Sequence, residues 1–186
     1  MTDRDLVVRA GKGDHDAFAE LARRSVGRLD SAANLILRDR ELARDAVQEG
    51  YLAAWRDLPT LRDPDRWEAW IRRLVVRACF NVLRRRGRRP TEVEMPALFD
   101  PSVADATSLF ADRELLDLAL RRLQPEWRAV VVLHYYLGMP LPEVASVLGI
   151  PIGTAKSRHH RSLEALRLSV ADLDPVRPMT SGAQYS

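Results

Sequence analysis

Apolar residues in this chain recur at helical intervals almost everywhere, and no run alternates apolar with polar residues as a half-buried strand would. Phe18, Leu21, Ala22, Leu29, Ala32, Ala33 and Ile36 form one stripe, and Val47, Tyr51, Ala54, Trp55 and Leu58 a second. Trp67, Trp70, Ile71, Leu74, Ala78 and Val82 form a third, separated from the second by a break at Leu58-Pro59-Thr60 and a helix start at Asp63-Pro64-Asp65. These helices make a first domain over residues 1–90. The spacing predicts an all-α chain of two small helical domains joined by a flexible linker.

The linker is expected over residues 91–111, which carry Pro96 and Pro101, several acids and little periodicity. A second helical domain follows over residues 112–172. Leu115, Leu116, Ala119, Leu120 and Leu123 line one helix, and Pro125 suits the first position of the next, through Trp127, Val130, Val131 and Leu133. The tail, residues 173–186, has nothing to bury and is expected to be disordered.

Charge sharpens this division. The formal net charge is only +3, but IRRLVVRACFNVLRRRGRR, residues 71–89, holds eight arginines and no acid. Residues 91–117 hold seven acids against Arg113 alone. The first stretch fits a polyanion and the second would repel one. The start, MTDRDLVVRAGKGD, lacks an apolar signal core, and no apolar run approaches a membrane span, so a cytoplasmic location is expected. A single cysteine, Cys79, sits beside an apolar stripe and reads as a buried structural thiol rather than a redox sensor.

The strongest local signal is LPEVASVLGIPIGTAKSRHHRSLEALRL, residues 141–168. Two turns of helix place Val144 and Leu148 inward with small Ala145 at the crossing point, and Gly149 suits the left-handed position that ends a helix. Ile150-Pro151-Ile152 makes a short apolar turn, and Thr154 is expected to cap the next helix. This is a helix-turn-helix, whose second helix enters a major groove. On that helix Ala155, Leu163, Leu166 and Val170 lie toward the core, while Lys156, Ser157, His160, Arg161 and Glu164 lie outward with donors for phosphates and base edges. A solvated bundle face is the bland alternative. His159 leans inward and is expected to be packed. A zinc site at His134, His159 and His160 would need a further ligand that the spacing does not supply.

With these residues in view, the chain resembles the extracytoplasmic-function group of sigma factors, the small members of the sigma-70 family. LHYYLGMPLPEVASVLGIPIGTAKSRHHRSLEALR follows the family's fourth conserved region, and ELARDAVQEGYLAAW with WIRRLVVRACFNVLRRR looks like parts of its second. The resemblance implies a factor that binds core RNA polymerase and directs promoter-specific initiation, with no catalysis and no cofactor of its own. It assigns Thr154, Lys156, Ser157, His160 and Arg161 to the minus-thirty-five element. It assigns Arg73, Arg77, Asn81, Arg84 and Arg88, one face of the basic helix, to the minus-ten element. Residues 59–66 correspond to a loop that receives a flipped base in relatives, and unstacking one costs a few kcal/mol. Trp67 and Trp70 share the apolar stripe, so core packing is favoured over stacking on melted DNA.

The same resemblance gives Asp45, Gln48, Glu49 and Leu52, on one face of RDAVQEGYLAAW, to the clamp helices of the largest polymerase subunit, and implies an anti-sigma partner. Arg44 replaces one acid of the family pattern. Arg77 stands where relatives frequently have asparagine, and Asn81 where they often have aspartate, which bears on the minus-ten sequence read. Two rival classes are weaker. A stand-alone helix-turn-helix repressor leaves the arginine-rich helix without a use. A nucleic-acid-processing enzyme would need a carboxylate cluster, phosphate loop or nucleophile–base pair, and none is evident.

Overall fold

The computed structural model describes residues 1–86 and 107–173, with the side chains of the fifth helix described from Arg113 on. Among the described residues every regular element is helical. Four helices come first: α1 Asp3–Ala10, α2 His15–Leu37, α3 Arg40–Asp57 and α4 Trp67–Arg86. Four more follow: α5 Thr107–Arg122, α6 Pro125–Val131, α7 Leu141–Leu148 and α8 Ile152–Leu173, with a π-helical turn at Val132–Tyr136 between α6 and α7.

The starts of these helices follow from short polar side chains. Asp14 accepts from the Ala17 amide at 3.0 Å and Asp39 from the Leu42 amide at 3.0 Å, satisfying donors the first turn would leave open. Pro125 opens α6 as expected. The breaks at Pro59 and Pro64 become two 3-10 turns, Leu58–Thr60 and Pro64–Arg66. Helix α1 escaped the sequence reading. Its signal was Thr2 followed by Asp5, whose side chains and amides bond reciprocally, and it buries Leu6, Val7 and Ala10.

In the first domain α3 packs between α2 and α4. Gly50 makes the second contact close: a Cβ there would lie 2.6 Å from Val75 Cγ2 and 2.9 Å from its Cα. Phe18 meets Trp55, Trp67 and Tyr51 edge-on, with centroids 5.0, 5.8 and 6.5 Å away. In the second domain α5, α6 and α7 pack on α8. The two domains are in direct contact, and one apolar core runs from Ile36 and Leu37 to Ala129, Val132 and Leu133.

Helix α5 begins at Thr107, so the last residues assigned to the linker, 107–111, are helical. After Pro101 no proline or glycine interrupts that stretch, so the helix propagates backward. The rest of the expected linker, and residues 174–186 of the tail, lie outside the described residues. Leu173, counted with the tail, is the last residue of α8.

Candidate nucleic-acid and polymerase interfaces

The turn between α7 and α8 is built as its residues dictate. Gly149 has φ 64°, and the Ile150 amide bonds back to the Ala145 carbonyl at 3.0 Å. Val144, Ala145 and Leu148 are buried. Thr154 is not the cap of α8. The helix begins at Ile152, and the Pro151 carbonyl already accepts from the Ala155 amide at 3.1 Å, so Thr154 lies half-buried in the first turn.

Lys156, Ser157, His160 and Arg161 are all exposed, with Glu164 on the same side and its Oε2 3.9 Å from His160 Nε2. Ala155 is buried beneath them, and buried Ser162 donates to the His159 carbonyl at 2.7 Å. His159 is half-buried. Its Nε2 shares a 3.1 Å hydrogen bond with the Tyr135 hydroxyl, and its ring stacks on that tyrosine. Burial, with His134 close by, lowers the His159 pKa and favours the neutral ring.

On α4, Arg77, Asn81 and Arg84 are exposed and Arg73 is half-buried, while Arg88 lies outside the described residues. The exposed members share one face. Arg86 turns back to Asp39 in an ion pair. Arg84 reaches toward the other domain, where a Cβ at Gly149 would lie 3.7 Å from its Nη2. Trp67 is buried at the first position of α4, which keeps it from stacking on a base, and Trp70 is half-buried against the core. In the loop at 59–66, Asp63 accepts from the Asp65 amide at 3.1 Å, and Asp65 pairs with Arg4 on the surface.

On α3, Asp45, Gln48, Glu49 and Leu52 are all exposed, opposite buried Val47. Leu52 is 62 % exposed among these acids and the amide. Beside it lies a shallow groove walled by His15, Phe18, Tyr51 and Trp55, with the His15 and Trp55 rings 4.6 Å apart. Sequence reasoning missed this groove because His15 comes from the other helix of the pair.

Two family descriptions match the chain: sigma-70 region 2 over residues 21–89 and sigma-70 region 4 over residues 113–166. The ECF RNA polymerase sigma factor SigM of Mycobacterium tuberculosis is 35 % identical over 161 residues, which is 87 % of this chain and 81 % of that protein. The chain is an ECF sigma factor. The ECF RNA polymerase sigma-E factor of Escherichia coli K12 is 29 % identical over 185 residues, covering 93 % of this chain and 96 % of that one. The solved structure of CnrH in complex with the cytosolic domain of CnrY matches with a TM-score of 0.62 at 28 % identity, over 94 % and 99 % of the two chains. The sigma factor RpoE bound to the anti-sigma factor NepR from Bartonella quintana shares the fold at a TM-score of 0.67 and 22 % identity.

This sigma factor therefore binds core RNA polymerase and promoter DNA and directs promoter-specific transcription initiation. Cys79 of the factor is 1 % exposed, and burial pushes its thiol up to about 12, which leaves no thiolate for redox chemistry at neutral pH. No helix among its described residues is long and apolar enough to cross a membrane.

Proposed function

We propose that the sigma factor reads its promoter with two helix faces and meets polymerase with a third. Lys156, Ser157, His160 and Arg161 on α8 contact the minus-thirty-five element as duplex, the cations on phosphates and Arg161 or His160 at base edges. Thr154 stands at the entry of that helix, close to the phosphate backbone. Arg73, Arg77, Asn81, Arg84 and Arg88 track the minus-ten strand, with Asn81 on a base edge. Asp45, Gln48, Glu49 and Leu52 dock on the polymerase clamp helices. The functional units are residues 1–90 and 112–172, tethered through 91–111.

The observation that carries this reading is the exposure of Lys156, Ser157, His160 and Arg161 above buried Ala155, together with exposed Arg77, Asn81 and Arg84 on α4 and the exposed α3 face opposite buried Val47. Each DNA footprint is small, so the free factor binds promoters weakly. Held on polymerase at the promoter spacing, the second contact becomes effectively intramolecular and the pair gains avidity. Polymerase supplies the catalysis, and the factor works in the cytoplasm with no cofactor. An anti-sigma partner that covers the α3 and α4 surfaces is consistent with the complexes in which the structural relatives CnrH and RpoE were solved.

Runoff transcription with core enzyme and matched promoter DNA tests the assignment. Reversing charge at Glu49 and replacing Gln48 should abolish factor-dependent transcript. Initiation that proceeds without the factor, or is unaffected by both changes, would refute it.

A further inference from the structure

Three rings border the reading face of α8. The π-helical turn at Val132–Tyr136 carries His134 and Tyr135 against His159. Tyr135 stacks on His159 with centroids 5.7 Å apart and planes at 22°, and His134 meets these two rings edge-on at 4.8 and 5.1 Å. The polar ends are also fixed. His134 Nδ1 lies 2.7 Å from the Met139 carbonyl, which can only accept, so that nitrogen carries a hydrogen. The Tyr135 hydroxyl lies 3.1 Å from His159 Nε2. A phenol is a better donor than acceptor, so beside a neutral imidazole the hydroxyl donates.

The cluster adjoins the duplex side of the helix. His159 lies one turn beyond Lys156 and next to His160, both exposed, while it is itself half-buried. Tyr135 is 58 % exposed and comes from the element ahead of the helix-turn-helix. It stands beside α8, where a backbone rather than a base edge would pass. The groups that act on His159 are His134 and Tyr135 from the π turn and His160 from its own helix. Helices α5, α6 and α7, also packed on α8, bring no charged group to bear on it among the described residues. Burial and the two histidines lower its pKa, so the ring is neutral in the free protein at pH 7. A phosphate here would supply the anion the cluster lacks. Once protonated, Nε2 must donate to the tyrosine oxygen, and the hydroxyl turns its own hydrogen outward.

We propose that Tyr135 and His159 extend the duplex contact of α8 as a proton-coupled phosphate site: binding loads one solvent proton onto His159, and the Tyr135 hydroxyl then donates to the same phosphate. This rests on the reading of α8 as the duplex-binding helix. The proton stays on the ring, and no covalent bond in the DNA is made or broken. The phosphate raises the pKa of the bound ring above that of the free one. Affinity therefore rises as pH falls through the bound value and levels off below the free one, by at most ~10-fold per pH unit for a single proton.

Anisotropy of a labelled minus-thirty-five duplex with the full-chain factor, taken from about pH 8 to about pH 5.5 at fixed ionic strength, tests the site. Wild-type affinity should rise on the order of 10-fold. His159→Gln should hold it nearly flat, whereas His160→Gln should bind more weakly throughout and keep the proportional rise. Tyr135→Phe preserves the stacked ring and should shrink the low-pH gain by about two- to three-fold. Calorimetry of the wild type in two buffers of different ionisation enthalpy counts the proton without any variant; about one taken up is expected at neutral pH, and none overturns the coupling. A rise that survives in His159→Gln, or vanishes in His160→Gln, places the proton elsewhere and overturns it too. An unaltered gain in Tyr135→Phe overturns the hydroxyl's part. Binding that ignores pH sinks this inference alone, while no duplex binding at any pH sinks it together with the reading of α8.

Discussion

Helices α4 and α8 are both cationic and both face DNA in the proposed complex, yet they are held in different ways. The reading face of α8 is open along its length, and its one acid, Glu164, is a loose neighbour of His160. Helix α4 is divided. Its exposed face keeps Arg77, Asn81 and Arg84, but Arg72 is committed to the second domain and Arg86 to Asp39. Helix α8 keeps Lys156 and Arg161 outward in solvent, whereas α4 commits Arg72 and Arg86 to partners within the fold.

The largest expected effect lies on α4. Arg77→Glu with Arg84→Glu reverses two charges in a cationic stripe and should lower promoter-directed transcription on the order of 100-fold. Binding to a minus-thirty-five duplex should stay unchanged, and a parallel loss there would erase the proposed division between the helices. Next is Gly50→Ala, which drives a Cβ into the Val75 backbone. Overpacking of this kind costs about 1–3 kcal/mol in urea unfolding and should displace α4 while leaving α8 unaffected.

Arg161→Ala should weaken the duplex by about 1–2 kcal/mol and leave open-complex formation on a pre-melted promoter intact, measurable by anisotropy and permanganate footprinting. The smallest effect is Glu164→Gln. Removing an exposed acid from the reading face should tighten duplex binding by about two- to three-fold at low salt, an effect that fades as salt rises. A Glu164→Gln gain that persists at high salt would mean the acid does more than repel phosphate.

Much of the architecture was legible because its signals are local. The left-handed Gly149 and the inward Val144 and Leu148 follow from neighbours within one turn, as do the outward Lys156, Ser157, His160 and Arg161. The exposed Asp45, Gln48, Glu49 and Leu52 follow from the 3.6-residue period against Val47. Thr154 misled because a threonine after a turn is a generic cap signal, and only the backbone shows that Pro151 had already started the helix. The first helix was overlooked because its cue, Thr2 with Asp5, precedes too few apolar residues to establish a period.

The sequence by itself determined the helices, their buried stripes and the polar faces left to solvent, since each depends on residues three or four apart. Only the tertiary structure decided that Arg128, Arg38 and Arg72 end on the Ile36 carbonyl, Asp117 and Glu143. Their partners lie 92, 79 and 71 positions away, and one of them is a main-chain carbonyl that no side-chain pattern encodes. An arginine written in a sequence is simply a cation. Whether it faces phosphate or closes over a helix end depends on what the folded chain brings within 3 Å of it.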